Sequence, residues 1–374
     1  MRDLRRSVKA PRARRVDDRL VAHRRLTELD LPPDMFAVVM ATGIVSVAAD
    51  EHAYPRISIP LAVLAVAAMC VLVAGLVIRV LARPRSAFGE VRDPDVALRL
   101  FTSVAACAVL AARFESHPAV NWVLGISGLA GWLVLVPLAA RDVISRPRTE
   151  LRDHAHGAWL LPSVATAGLA VTAADLAVGE NSVGLVMLAA LAWLLGLLAY
   201  VAVTWLIAWR AAAAPFIPEQ VTPDSWILMG ALAISTLAGD RVIAAAQRVG
   251  EVHWLVAVAR PVTLGTWIVA SLWIPVLLYA ELWRADRVAG SLHFAGVWWS
   301  AVFPLGMYAV ATEATARRLQ LPSLTTMSLV FCWLAVSVWL LVTVGLIHRA
   351  IAASITGGSR DHSANSAPRR PPGS

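Results

Sequence analysis

Asp153, His154 and His156 form the single histidine cluster of this chain, and a His-x-His spacing can hold a metal ion. No second cluster completes a ligand set. Nor is there a Gly-rich phosphate cradle, a nucleophile elbow or a pair of catalytic carboxylates at membrane depth. The sequence therefore predicts no catalytic residues, no metal and no cofactor, and an integral-membrane metalloenzyme is the most distant of its readings. Ionisable side chains inside a bilayer are costly and usually functional. Arg113, Asp175, Asp240, Arg241, Glu281 and Glu313 are candidates, all near the ends of apolar runs, where snorkelling or local pairing also explains them. Asp240 and Arg241 are the candidate coupling residues because they follow the small-residue segment 235–239. His52 and His117, also at span ends, could sense pH.

Another kind of site is written in 298–310, which reads W-W-S-A-V-F-P-L-G-M-Y-A-V. It belongs to a run of roughly twenty apolar residues, enough to cross the ~30 Å hydrocarbon core as a helix. Pro304 has no N–H, so the carbonyl of Ser300 loses its helical partner. Hydrocarbon tolerates that only where protein or a water-filled cavity meets the carbonyl. Phe303 immediately precedes the proline. Two readings follow: a helix lining a pathway that Phe303 closes, or a kinked helix in a bundle with Phe303 as core filler.

The elements that position these residues are apolar helices. Of 374 residues, 58% are hydrophobic and 16% charged, with a mean hydropathy of +0.66, far from the composition of soluble domains. The reading is an all-α polytopic membrane protein. Cys70, Cys107 and Cys332 lie singly in apolar runs and show no metal or disulfide spacing. The net charge of +8 comes from arginines beside the spans, which the positive-inside rule explains without nucleic acid. Residues 1–31 form a basic segment with no apolar core, read as a disordered cytoplasmic tail rather than a cleaved signal. About ten spans follow within 32–350, at 35–49, 57–80, 97–113, 120–140, 158–174, 183–209, 226–246, 262–282, 294–312 and 324–347. Residues 351–374, rich in Ser, Pro, Arg and Gly, read as a second disordered cytoplasmic tail.

Arginines concentrate between spans two and three and between four and five, which places both termini in the cytoplasm of a cell membrane. Arg248, Arg317 and Arg318 fall on the other side as exceptions. Odd spans are shorter and richer in small or weakly polar residues: Thr42, Gly43 and Ser46; Thr102 and Ser103; Ser163, Thr166 and Gly168; Gly230, Ser235, Thr236 and Gly239; Ser300 and Gly306. Even spans are longer and more uniformly Leu, Val and Ala. An inner ring of odd helices lining a pore, screened by even ones, would produce this alternation. Close helix packing without a pore would also use small residues.

The segment 36–46, F-A-V-V-M-A-T-G-I-V-S, resembles the first-helix signature of the tellurite-resistance and C4-dicarboxylate transporter family. That family includes fungal malate and sulfite permeases and the slow-type anion channels of plant guard cells. W-L-L-P at 159–162, W-I-L-M-G-A at 226–231 and the 298–308 stretch agree with it in order. The resemblance implies five helical hairpins in a pseudo-fivefold ring, odd helices around a central pore, a ninth-helix phenylalanine that occludes it, and a homotrimer. By motif that phenylalanine is Phe303. Kinks at Pro304 and Pro162 would bend inner helices around the conduit. The implied function is transport of small anions, with a proton-coupled malate-type, sulfite or tellurite carrier as the alternative. Hydroxyls and glycines without fixed charge would favour weakly hydrated or singly charged anions.

Overall fold

The computed structural model describes residues 34–82, 94–213, 222–288 and 298–365. The basic tail 1–31 and Arg83, Arg85 and Arg92 lie outside them. Ten helices of fifteen or more residues follow one another: α1 (Ala37–Glu51), α2 (Pro55–Ala82), α3 (Pro94–Arg113), α4 (Pro118–Ser145), α5 (Leu161–Glu180), α6 (Val183–Ala213), α7 (Ile227–Val249), α8 (His253–Arg287), α9 (Trp299–Leu319) and α10 (Pro322–Asn365). A short helix, Arg148–His154, and two 3-10 turns, Gly157–Leu160 and Pro223–Trp226, complete the described set.

Local chemistry sets the helix ends. Proline opens α2, α3, α4 and α10, where its missing N–H would have had no partner anyway. Residues of positive φ close four of the five odd helices: Ala53 follows α1, Asn181 α5, Gly250 α7 and Gln320 α9. The resulting turns are tight, so each odd helix folds back against the even helix after it. Pro162 does not kink α5. It sits in the first turn, just after the 3-10 turn, where no helical hydrogen bond is lost. The helix α10 is described to Asn365; no proline interrupts it before Pro368.

The five hairpins close on themselves. Each odd helix packs against the next, α1 on α3, α3 on α5, α5 on α7 and α7 on α9, and α9 returns to α1. The inner ring is almost wholly buried, with Phe36, Phe101, Phe303 and Tyr308 among its largest enclosed side chains. The even helices stand outside. They expose large apolar residues such as Val63, Val71, Leu133, Val201 and Leu272, which only a hydrocarbon surrounding accommodates on this scale. Eight of the ten helices are long and apolar enough to cross a membrane. The two that fall short, α1 with fifteen residues and α9 with its proline, hydroxyls and three terminal charges, both belong to the inner ring.

Candidate functional site

The odd helices run parallel and leave a cavity at each end of the ring. Where they begin, Asp34, Met40, Arg99, Thr102, Asp224 and Ser300 surround a space of about 50 Å³. Where they finish, Glu51, Glu115, Asp240, Arg241, Arg260 and Arg318 help to surround a vestibule of about 660 Å³. Parallel helices bring their positive dipole ends to the narrow mouth and their negative ends to the vestibule, and the last-turn arginines Arg113, Arg248, Arg317 and Arg318 offset the latter.

Between these cavities, α9 carries Phe303. Two close approaches fix how that helix is turned. A Cβ on Gly306 would lie 2.9 Å from Ile44 of α1, and one on Gly230 of α7 would lie 2.8 Å from the Pro304 ring. So residue 306 faces α1 and residue 304 faces α7. At about 100° per residue, the direction midway between them on one side falls within roughly 20° of residues 303, 307 and 314. The opposite side carries Tyr308 and Thr312, which bond Ser271 and Trp267 of the outer helix α8 at 2.7 and 3.1 Å. Phe303 and Met307 therefore point along the inner direction, with Ala314 of the same stripe lining the vestibule. Both large side chains are fully buried.

The hydroxyls expected along the pore have other partners. Four outer-helix tryptophans each donate an indole N–H to the inner helix of the next hairpin. Trp339 of α10 reaches Thr42, Trp132 of α4 reaches Thr166, Trp193 of α6 reaches the Ser235 carbonyl, and Trp267 of α8 reaches Thr312, at 2.8–3.1 Å. Ser46 donates to the Ser58 carbonyl of α2 at 2.8 Å, and Thr236 lies 2.9 Å from Thr266 of α8. Thr42, Ser46, Thr166 and Thr236 thus face outer helices rather than the axis. Gly43 faces Val109 of α3 and Gly306 faces Ile44, because small residues let neighbouring backbones approach. Ser103 donates to the Leu100 carbonyl. Thr102 and Ser300 do border the narrow mouth, and the Ser235 hydroxyl is buried without a hydrogen-bond partner.

Ionisable residues gather at the vestibule. Arg241 contacts Glu115 at 2.7 Å and Asp175 at 3.3 Å. Arg318 pairs with Asp240, and Arg317 bridges Glu51 at 2.6 Å and Glu313 at 3.1 Å. Arg317 and Arg318, two of the three arginines that break the positive-inside pattern, are thereby neutralised by carboxylates. Asp175 and Glu313, which the sequence offered only as two of several span-end acids, are the most enclosed of these: their side chains are 9% and 7% exposed, and Asp175 Oδ2 and Glu313 Oε2 have no partner. Glu281 instead pairs locally with Arg284 at the opposite face. His52, in the turn after α1, bonds the Ser328 hydroxyl at 2.8 Å. Burial holds its pKa below the ordinary histidine value, against the pull of Glu313 and Glu51. His154 and His156 each place Nδ1 on a backbone carbonyl, and Asp153 is held by Arg152.

The profile for voltage-dependent anion channels matches residues 30–347, which takes in the whole ring. The chain belongs to the voltage-dependent anion channel family. An uncharacterized membrane protein of Mycobacterium tuberculosis strain H37Rv is 32% identical over 172 residues, 45% of this chain and 85% of the relative. Its counterpart in strain CDC 1551 gives the same values. An uncharacterized transporter of Methanocaldococcus jannaschii is 20% identical over 347 residues, 87% of this chain and 95% of that protein. As a member of the voltage-dependent anion channel family, the chain is a multi-pass membrane protein of a transport fold.

Proposed function

We propose that this protein conducts small anions along the axis of its inner ring, and that Phe303, set by Pro304, closes the path. The carrying observation is the position of Phe303: fully buried, on the inward stripe of α9, between the two cavities. Positive helix ends favour anions over cations at the narrow mouth, while at the vestibule Arg241, Arg260, Arg317 and Arg318 balance Asp50, Glu51, Glu115 and Asp240. Phe303 and Met307, buried on the inward stripe of α9, offer no charge to replace a tightly held hydration shell, so weakly hydrated monovalent anions should pass best. The protein sits in the cell membrane as a homotrimer with both termini cytoplasmic, and it acts as a conduit rather than an enzyme.

A proton-coupled carrier of malate-like dicarboxylates, sulfite or tellurite is the second reading. Asp175 supports it, since an enclosed carboxylate with one unbonded oxygen beside Arg241 is a place to hold a proton. Asp240 and Arg241 would then be coupling residues. The test is flux of chloride, nitrate, sulfite and malate into proteoliposomes, with and without an imposed pH gradient. Flux of several monovalent anions, indifferent to the gradient and raised by Phe303→Ala, supports the channel. Malate-restricted, gradient-driven flux supports the carrier, and no change in Phe303→Ala removes the gate.

A further inference from the structure

A groove of about 560 Å³ runs between the outer helices α6 and α8 on the face where the odd helices begin. Val276 and Tyr279 on its wall are exposed on the outer surface, so it opens toward lipid. Ile207, Trp273, Leu277 and Trp283 make its walls apolar, and His156 and Arg210 stand at its rim. From Trp273 to Trp283 the groove follows α8 for about 15 Å, half of the ~30 Å hydrocarbon thickness, the depth of one leaflet.

The rim chemistry is unbalanced. Arg210 Nε is buried without a hydrogen-bond partner, and no carboxylate pairs with Arg210 among the described residues. Asp153, whose charge reaches it, is itself held by Arg152 at 2.7 Å. The Asp224 carboxylate lies 3.8 Å from His156 Nε2 but accepts the Ala158 N–H at 2.9 Å. A guanidinium with an unmade hydrogen bond, above an apolar slot one leaflet deep, matches a phosphate on an acyl chain.

We propose that this groove holds one anionic phospholipid, its phosphate at Arg210 and His156 and an acyl chain along Trp273 and Leu277. The bound lipid touches Gly157 and Ser225, in the two turns whose neighbours Ala158 and Asp224 border the narrow mouth. It therefore braces the start of α5 and α7 from outside the ring. The site is independent of which anion the protein carries.

The test is lipid retention by the full chain in mild detergent, read by native mass spectrometry after exposure to equal phosphatidylglycerol and phosphatidylcholine. Wild type should retain phosphatidylglycerol in about fivefold preference, the worth of one arginine near a membrane surface. Arg210→Gln should bring the ratio near one, and Val276→Trp, which fills the groove without changing charge, should lower retention of both lipids. Excess inorganic phosphate should displace neither. An even ratio in wild type, a preference that survives Arg210→Gln, full retention in Val276→Trp, or displacement by phosphate would each overturn the assignment. Lipid retention is read without any flux assay, so its failure is separate from failure of the transport reading.

Discussion

Gly230→Ala probes the contact that turns α9. The new Cβ would stand 2.8, 2.9 and 3.1 Å from Cγ, Cβ and Cα of Pro304. Carbon atoms prefer about 3.5–4.0 Å, so the two helices must part by roughly 0.7 Å at this level. A pyrrolidine ring is closed on its own backbone and cannot swing aside, so α9 itself has to move. Overpacking of this kind costs about 1–3 kcal/mol, offset by up to ~1 kcal/mol of helix propensity gained when alanine replaces glycine. The expected net loss is about 1–2 kcal/mol, seen as a lower thermal midpoint in detergent. Phe303 precedes the displaced proline, so basal anion flux should rise, though less than in Phe303→Ala. Gly179→Ala and Gly265→Ala are the controls, since a Cβ at either meets nothing within 4 Å. If Gly230→Ala matched those controls in midpoint and the wild type in flux, the α7–α9 approach would not be what aims Phe303.

Three further outcomes are expected. Trp339→Phe removes the indole bond to Thr42 and should cost about 0.6–1.7 kcal/mol, the range of interhelical hydrogen bonds in membranes, with Trp333→Phe, bearing a partly exposed ring, nearer zero by the same thermal assay. Arg241→Gln leaves Glu115 and Asp175 uncompensated at the vestibule; at ~8 Å and an effective dielectric near 20 the lost attraction is ~2 kcal/mol, so anion flux should fall by at least about tenfold and the loss should shrink in high salt. His52 is favoured in its neutral form because burial depresses its folded pKa. Its contribution is thus complete above the unfolded value of about 6.5 and is lost as pH falls through the folded value. Thermal midpoints measured across that acid window should drop more steeply in wild type than in His52→Gln.

How much of this was legible in sequence depends on the scale. The hairpins and the inner and outer rings were readable because burial leaves a direct compositional trace: inner helices use small residues to approach, and outer ones use Leu and Val against lipid. Phe303 drew notice because a proline inside an apolar run breaks a local rule, but those residues alone fit both a gate and a core filler, and only the family resemblance pointed to a gate. The roles of the hydroxyls were not, because small polar residues serve a pore wall and a helix interface equally well. Only three-dimensional neighbours distinguish Thr42, bonded to Trp339 nearly three hundred residues away, from Thr102 at the narrow mouth. Tryptophans at span ends read as interfacial anchors. Trp132, Trp193, Trp267 and Trp339 lie well inside their helices, one in each of four successive even spans, and that recurrence was the signal available for the repeated clamp.

The clamp bears on gating. Each indole ties an outer helix to the inner helix of the following hairpin, so around most of the ring the inner helices are held both by direct packing and by an outer neighbour. On α9 that bond falls at Thr312, about two and a half turns beyond Phe303 and therefore on the outward side. It pins the vestibule half of the helix. The half that begins at Trp299 has instead a proline at residue 304 and its close approach to Gly230. A helix fixed at one end and interrupted near the other can shift its short first segment without disturbing the ring. If Phe303 is the gate proposed above, opening needs only movement around Pro304 or a change in the Phe303 side chain, and the five hairpins remain in place. A double variant, Trp267→Phe with Gly230→Ala, discriminates: if the two halves of α9 are independent, its midpoint loss is the sum of the single losses, within the ~0.5 kcal/mol expected for uncoupled sites. A markedly larger or smaller loss would show that α9 moves as one rigid rod, and the local opening described here would then be wrong.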